Sequence, residues 1–363
     1  MKKFGKITVF AIYYIAGMLC GALIGKGAFV SGNFMIGLIS MAIPFCLALI
    51  LNIALHEAGH LIFGLLTGYK FISYRLGSFT IMRSNGKLIS GRLNVAGTGG
   101  QCLMLPPEPK DGKVPSVLYN LGGAIVNALT GFLALGISAA LGWSSFRMMF
   151  AVCAFATALA NGIPFHAGYI DNDGMNALSL RKNPEALEAF CLQLKVAGAQ
   201  TDMLRLRDMP AEWFDMPSEN AIDSNTLVAT KAVLVENRLM DEYRFDEALA
   251  LAEKLCRKAT VLDLHKQLLK LDIASILLLK GRSDEALQIL DEKPVVKAMK
   301  LLKVFPPCLR TRYIAAKLGG RGSDVSARLE FDRICKKYPY KGDIESEREL
   351  MALADSVSGG EMR

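Results

Sequence analysis

The chain has 363 residues, of which 52% are hydrophobic and 21% charged, with a formal net charge of +8 and a mean hydropathy of +0.30. This balance excludes an ordinary soluble protein, which is less apolar, and a protein made only of membrane helices, which carries fewer charges. The apolar runs all lie before about residue 165, so we predict a mostly α-helical chain in three parts. These are a membrane domain over 1–180, a linker with one helix over 181–223, and a soluble helical domain over 224–363.

Four apolar runs predict four membrane-spanning helices. Each is long enough to cross a hydrocarbon core of about 30 Å. We interpret the first as a retained helix and not a cleaved signal peptide, because it is long for a signal and has no clear small-residue cleavage pattern. The runs occupy about residues 7–25, 34–66, 116–143 and 146–163.

Basic residues predict the orientation of these helices. Lysines and arginines precede the first run, fill the segment between the second and third, and follow the fourth. The positive-inside rule therefore places both termini in the cytoplasm. With no other targeting signal, we expect an integral protein in the lipid bilayer of a bacterial plasma membrane. These flanking residues contribute to the net charge, so we predict no nucleic-acid partner.

The second apolar run contains LNIALHEAGHLIFGLL over residues 51–66, with His56, Glu57 and His60. Histidines four residues apart lie on one face of a helix. Two imidazoles at this spacing can bind one Zn²⁺, and an adjacent carboxylate can take a proton from a water molecule that the metal activates. Because ionisable side chains are expensive in lipid and rarely occur there without a role, the motif predicts a metal site below the membrane surface.

A catalytic zinc site needs a third protein ligand and one open position. The segment after the fourth run, NGIPFHAGYIDNDG, offers His166, Asp171 and Asp173. The predicted topology puts this segment on the side of the membrane where the second helix ends. The residues alone leave these three alternatives open.

Asn127 and Asn161 are polar side chains within the third and fourth apolar runs. Either could position a substrate backbone or stabilise a tetrahedral oxyanion. Hydrogen bonding between helices is the alternative interpretation.

The segment from 69 to 104 alternates apolar and polar residues around a Ser-Asn-Gly turn at 84–86. This pattern predicts a β-hairpin. Free strand edges are not tolerated in lipid, so we expect the hairpin at the membrane interface or against the helices. It could hold an extended substrate strand beside the metal, and a plain interfacial loop is the alternative.

The last third of the chain contains an internal repeat. Similar helix-forming segments begin at Phe245, Ser283 and Ser323, about 40 residues apart, and each follows another amphipathic segment. These helix pairs are similar to tetratricopeptide repeats, which stack in register. We expect such an array to bind a cytoplasmic protein partner, and a small helical domain without a ligand is the alternative.

The first half of the chain carries a set of motifs in a fixed order. H-E-x-x-H lies in an apolar helix, G-x-x-x-N runs from Gly123 to Asn127, N-x-x-P ends at Pro164, and Asp173 precedes Gly174. Over roughly residues 34–180 this set resembles the site-2 protease family of intramembrane zinc metalloproteases.

The resemblance implies specific roles for four residues. His56, His60 and Asp173 would bind Zn²⁺, and Glu57 would be the general base. It also implies an endopeptidase that cleaves transmembrane segments or signal-peptide remnants of other membrane proteins. The competing hypotheses are a catalytically inactive, membrane-anchored helical-repeat scaffold and a membrane metallohydrolase that acts on a lipid or a small peptide.

Overall fold

A computed structural model describes five ranges of the protein. The candidate ligand His166 lies outside them. Over the described residues the protein is mostly helical and has a small amount of antiparallel β structure. This agrees with the predicted fold class at that level. The described ranges are 2–30, 33–93, 98–110, 113–165 and 171–360.

The chain divides into two compact units. One comprises residues 1–76 and 99–187, and the other comprises 77–98 and 188–363. Residues 77–98 therefore group with the C-terminal helices, whereas the sequence predicts that all of 69–104 belongs to the membrane domain.

Five helices belong to the first unit. Asn33 caps the second of these helices, because its side chain accepts a hydrogen bond from the backbone N–H of Ile36. This helix ends before Gly68, which has a φ of +87°. A terminal residue with positive φ is a common helix stop, and glycine adopts it without strain. The helices are α1 (Lys2–Val30), α2 (Phe34–Leu66), α3 (Ser116–Leu141), α4 (Ser145–Gly162) and α5 (Asp173–Lys182).

Three of the described helices are long and apolar enough to cross a membrane, namely Met35–Leu66, Ser116–Leu141 and Ser145–Gly162. Large apolar side chains such as Ile43 are exposed along them, as expected where lipid is the solvent. The protein is thus suited to membrane association. The first predicted span falls on α1, whose described apolar stretch Phe10–Leu23 is shorter than these three. A membrane span at α1, which would bring the total to four, therefore stays a prediction.

Four strands follow α2 in the chain. β1 and β4 pair antiparallel within the first unit, with Tyr74 opposite Cys102. β2 and β3 form a hairpin in the second unit, where Asn85 and Gly86 both have positive φ. Two consecutive positive φ angles define the type I′ turn that this short hairpin requires, so the predicted turn is confirmed. The strands are β1 (Lys70–Leu76), β2 (Phe79–Ser84), β3 (Lys87–Arg92) and β4 (Gly100–Leu105).

The second unit is an all-helical assembly apart from this hairpin. Leu93, just after β3, packs into its apolar core, and the backbone N–H of Asn85 donates to Asp202 at 2.6 Å. Its helices occur where the predicted repeat segments lie, with α12 as an additional element, and the repeat assignment itself stays a prediction. They are α6 (Pro184–Thr201), α7 (Glu219–Ser224), α8 (Thr226–Asp241), α9 (Phe245–Cys256), α10 (Asp263–Leu279), α11 (Ser283–Asp291), α12 (Lys293–Leu301), α13 (Pro306–Gly319), α14 (Asp324–Cys335) and α15 (Lys341–Ser358).

Candidate metal centre

Two histidines of α2 and the first residue of α5 converge in the first unit. The Nε2 atoms of His56 and His60 lie 3.2 Å apart. Asp173 Oδ2 lies 3.0 Å from His56 Nε2 and 3.4 Å from His60 Nε2. All three ligand atoms lie within 4.8 Å of one another, and both histidines are buried. Of the two described alternatives for the third ligand, Asp171 and Asp173, the structure brings Asp173 to the imidazoles; His166 lies outside the described residues.

The other nitrogen of each imidazole faces a hydrogen-bond acceptor. His60 Nδ1 lies 2.8 Å from the backbone carbonyl oxygen of Tyr119, which can only accept. His56 Nδ1 lies 2.7 Å from Asn127 Oδ1. We therefore assign the proton of each neutral imidazole to Nδ1. Both Nε2 lone pairs then point toward the carboxylate of Asp173.

The orientation of Asn127 fixes this assignment for His56. Its amide nitrogen donates to the backbone carbonyl of Asn52 at 3.0 Å, so its oxygen must face the imidazole. Asn52 is itself held, because its side-chain nitrogen donates to the carbonyls of Ala48 and Phe150. A chain of hydrogen bonds from α2 and α4 thus sets the tautomer and the orientation of His56.

The convergence of lone pairs is the main electrostatic feature of the site. Three electron-pair donors lie within 3.4 Å of one another, and they repel unless a positive charge lies between them. One added proton would bridge only one pair of these atoms, whereas a metal ion can contact all three. Two imidazoles and one carboxylate are a ligand set typical of catalytic zinc, which keeps a fourth position open.

Asp173 is positioned by the residues on either side of it. Asn172 caps α5 by accepting the backbone N–H of Met175 at 2.9 Å, and its side-chain nitrogen donates to two carbonyls at the end of α4. At Gly174 an added Cβ would lie 2.3 Å from the carbonyl oxygen of Gly162, so a side chain there would push α5 away from α4. Asn172 and Gly174 together place the carboxylate at the histidines.

The protonation of Asp173 depends on the charge of the groups that face it. Burial alone raises the pKa of its carboxyl group, whereas positively charged imidazoles at His56 and His60 lower the pKa well below the ordinary aspartate value. A metal cation at the same point would act in the same direction, so a bound metal would keep Asp173 as an anionic ligand.

Glu57 lies against the start of β4. It is 8% exposed, and a Cβ added to Gly100 would come within 2.7 Å of its Oε1 atom. The buried guanidinium of Arg75 donates to the Gly100 carbonyl at 3.0 Å, which holds β4 in place. Only glycine leaves room for the carboxylate at this position.

Close helix packing brings the site together. A Cβ built on Gly59 would lie 2.3 Å from the carbonyl oxygen of Gly122, and one on Gly123 would lie 2.5 Å from the His56 ring. Both positions therefore need glycine where α2 meets α3, as is common where helices pack closely in membranes.

The other predicted site residues have different surroundings. Asn127 is fully buried and both ends of its amide are engaged, which favours the hydrogen-bonding interpretation over contact with an oxyanion. The side chain of Asn161 donates to the Thr157 carbonyl of its own helix at 3.0 Å. Asp171 does not join the ligand group formed by the described residues.

Three residues that support the site were not singled out from the sequence. Asn52 lies four residues before His56, so its helical spacing and its polarity in an apolar run were a usable signal. Asn172 directly precedes a helix, which is the position of a capping side chain. Tyr119 contributes its backbone carbonyl to His60, and no side-chain pattern reports that.

No protein-family model, curated protein or solved structure matches the chain.

Proposed function

We propose that this protein is an intramembrane zinc endopeptidase of the site-2 protease kind. The observation that carries the proposal is the convergence of two imidazole nitrogens and one carboxylate oxygen, with no lysine or arginine in the group that the described residues form, in a unit with three potential membrane spans. His56, His60 and Asp173 would hold the metal. Their backing hydrogen bonds to Asn127 and Tyr119 are those expected of metal-binding histidines.

When bound, Zn²⁺ would supply a Lewis acid that polarises the scissile carbonyl and makes a water molecule acidic near neutral pH. Glu57 follows His56 directly in the chain and is not one of the three convergent groups. We assign it the proton transfers: its carboxylate removes a proton from the attacking water and then delivers it to the leaving amine. The low exposure of these side chains keeps bulk water away from the reacting groups.

The proposed substrate is a transmembrane segment or a signal-peptide remnant. A helical peptide bond is shielded by its neighbours, so the substrate must be extended locally. Strand β4 begins at Gly100 beside Glu57, and an extended substrate along this strand would present its backbone to the carboxylate. This refines the predicted role of the hairpin region to its last strand.

The proposal includes four spans, both termini in the cytoplasm of a bacterium, and C-terminal repeats that recruit substrate or regulate cleavage. The charge distribution of the loops supports the orientation. The helix pairs α8–α9, α10–α11 and α13–α14 support the repeat assignment.

The experiment compares membrane-protein fragments in cells that express the wild type or Glu57→Gln. We expect the substitution to lower the cleavage rate about 10²- to 10⁴-fold, the range for a general acid–base group. Zinc content should not change, because Glu57 is not a ligand. Glu108→Gln, an exposed carboxylate of a loop, is the matched control and should cleave normally.

Two results would contradict the proposal. Cleavage by Glu57→Gln with zinc still bound would remove the mechanism. A wild type that holds zinc and produces no fragments would favour the anchored scaffold.

A further inference from the structure

A groove of about 690 Å³ opens between the helices of the second unit. Its walls come from α11, α12, α13 and α14. The volume lies within the range of about 300–1,000 Å³ that is usual for ligand sites. None of its lining residues belongs to the candidate metal centre.

The groove is concave because its inner side chains are short. Ala315, Ala316, Ala327, Ser323 and Ser326 form one wall, on α13 and the beginning of α14. The opposite side is formed by longer apolar side chains of α11 and α12. These are Leu290, Val296 and Met299.

The rim of the groove is basic. Arg312 pairs with Glu330 at 3.1 Å, and Arg321 pairs with Asp291 at 2.6 Å, so these charges are balanced. Lys300 and Lys303 are exposed, and no carboxylate of the described residues is paired with either ammonium. The segment 293–303 carries four lysines and no acidic residue. The groove therefore has an apolar floor and an excess of positive charge along one edge.

We propose that this groove binds an acidic, amphipathic helical segment of a partner protein. Apolar side chains of that helix would enter the groove, and its carboxylates would meet Lys300 and Lys303, as in other helix-in-groove complexes. The lining residues include no aromatic side chain, whereas single-stranded nucleic acids bind by stacking on aromatic rings. The apolar floor likewise favours a side-chain anchor over a purely ionic contact with phosphate.

The test uses the full-length protein in detergent micelles and a fluorescein-labelled peptide of about 16 residues, long enough to form a helix. The peptide has leucines at helical spacing i, i+3, i+4 and i+7, with glutamates between them, and binding is followed by fluorescence anisotropy. A second peptide replaces the leucines by serine, and a third replaces the glutamates by lysine. We expect the first to bind at least about tenfold more tightly than either of the others, because the groove requires both features.

Two variants and one control locate the binding site. Lys300→Glu/Lys303→Glu should weaken binding of the acidic peptide about tenfold or more. Ala316→Leu fills the groove without a change in charge and should weaken it by a similar factor. Lys293→Glu/Lys297→Glu makes the same change in net charge at exposed positions of α12 that do not line the groove, and it should change affinity less than about threefold.

Three outcomes would overturn the proposal. The control pair could weaken binding as much as Lys300→Glu/Lys303→Glu does, which would show attraction to the general charge of α12. Ala316→Leu could bind the acidic peptide with wild-type affinity, while circular dichroism shows that the variant is folded. A labelled single-stranded RNA, or vesicles of anionic lipid, could displace the peptide with the same dependence on Lys300 and Lys303, which would identify a phosphate site.

Discussion

A cluster of buried ionisable side chains in the second unit can be compared with the candidate metal centre of the first, and the two differ in where the positive charge comes from. In the second unit, Arg310 is 1% exposed and lies 2.6 Å from Asp272 and 2.8 Å from Glu347. In the candidate metal centre, the acidic group faces two imidazoles whose protons point elsewhere. The C-terminal cluster contains a permanent cation, whereas the metal centre gains positive charge only by binding a proton or a metal ion.

Glu236 is the remaining acid of the C-terminal cluster, and it shows how a buried carboxyl group is tolerated without a hydrogen-bond partner. Glu236 is fully buried, and neither of its oxygens has a hydrogen-bond partner. Burial raises its pKa well above the ordinary value, so it is neutral. Buried charge in this protein is therefore either paired or removed by protonation. In the candidate metal centre the positive charge can come from a proton on an imidazole or from a metal ion, and only a metal ion can contact all three ligand atoms.

The largest effect is expected at the C-terminal cation. Arg310→Met removes the positive charge and leaves Asp272 and Glu347 buried without it, which should lower the free energy of unfolding by about 3–5 kcal/mol. Urea unfolding of the full-length protein, followed by the fluorescence of Trp213 in a Trp143→Phe background, measures this change.

Arg348→Met is the control for this substitution, because Arg348 is half-exposed and its pair with Asp332 should contribute less than about 1 kcal/mol. Zinc content should be unchanged in both variants. If Arg310→Met unfolds like the wild type, the charge balance described for this cluster is incorrect.

The next effect is expected at the metal centre. Asp173→Ala removes one of three proposed ligands. If the roughly 10–16 kcal/mol typical of zinc sites is shared among the ligands, the loss is about 4 kcal/mol, or roughly 1,000-fold in affinity. Chelator competition measures the zinc affinity of the purified variant. Asp171→Ala, two residues earlier, should retain wild-type zinc affinity. If instead Asp171→Ala loses affinity and Asp173→Ala retains it, Asp171 is the third ligand.

A smaller loss is expected where the support of a ligand is removed. Asn127→Leu deletes the acceptor at His56 Nδ1 and should weaken zinc binding about 10- to 100-fold, as outer-shell substitutions do. Asn161→Leu, which loses only a bond within its own helix, should bind zinc normally. If Asn127→Leu keeps full zinc affinity while cleavage slows, Asn127 acts on the substrate, and its hydrogen bond to His56 is incidental.

The comparison also separates what could and could not be predicted from the sequence. His56, Glu57 and His60 follow from helical spacing, and the turn at Asn85–Gly86 follows from local backbone preference. These are short-range features, so few residues determine them. The helix ends of α2 and α4 were placed within about two residues for the same reason.

The contacts that support the site and join the units' elements could not be predicted from local sequence patterns, because they connect residues far apart in the chain. Asp173 could not be separated from Asp171 and His166, because the choice depends on how Asn172 ties α5 to the end of α4. The grouping of residues 77–98 with the C-terminal helices depends on contacts such as Asn85 with Asp202, which lie far apart in the chain. The charge cluster around Arg310 joins four helices, α8, α10, α13 and α15, and each of its residues alone looks like an ordinary polar position.

The smallest effect is a change in pH dependence within the C-terminal cluster. Burial raises the pKa of Glu347 to about 7; Arg310 opposes this rise, and Asp272 and Asp343 add to it. In the unfolded chain this carboxyl titrates near its ordinary value of about 4.3. The folded state therefore binds more protons between these two values, and stability is lost as the pH rises through them.

Glu347→Gln should remove this contribution, which amounts to about 1 kcal/mol between pH 6 and about 7.5. Urea unfolding by Trp213 fluorescence at both pH values measures it, and Glu345→Gln, an exposed position on the same helix, should keep the wild-type slope. Because Asp343 also has a pKa raised to about 7 by burial, the slope should fall without vanishing. An unchanged slope would mean that Arg310 keeps Glu347 ionised throughout this range, and the cluster would then be a fully charged triad.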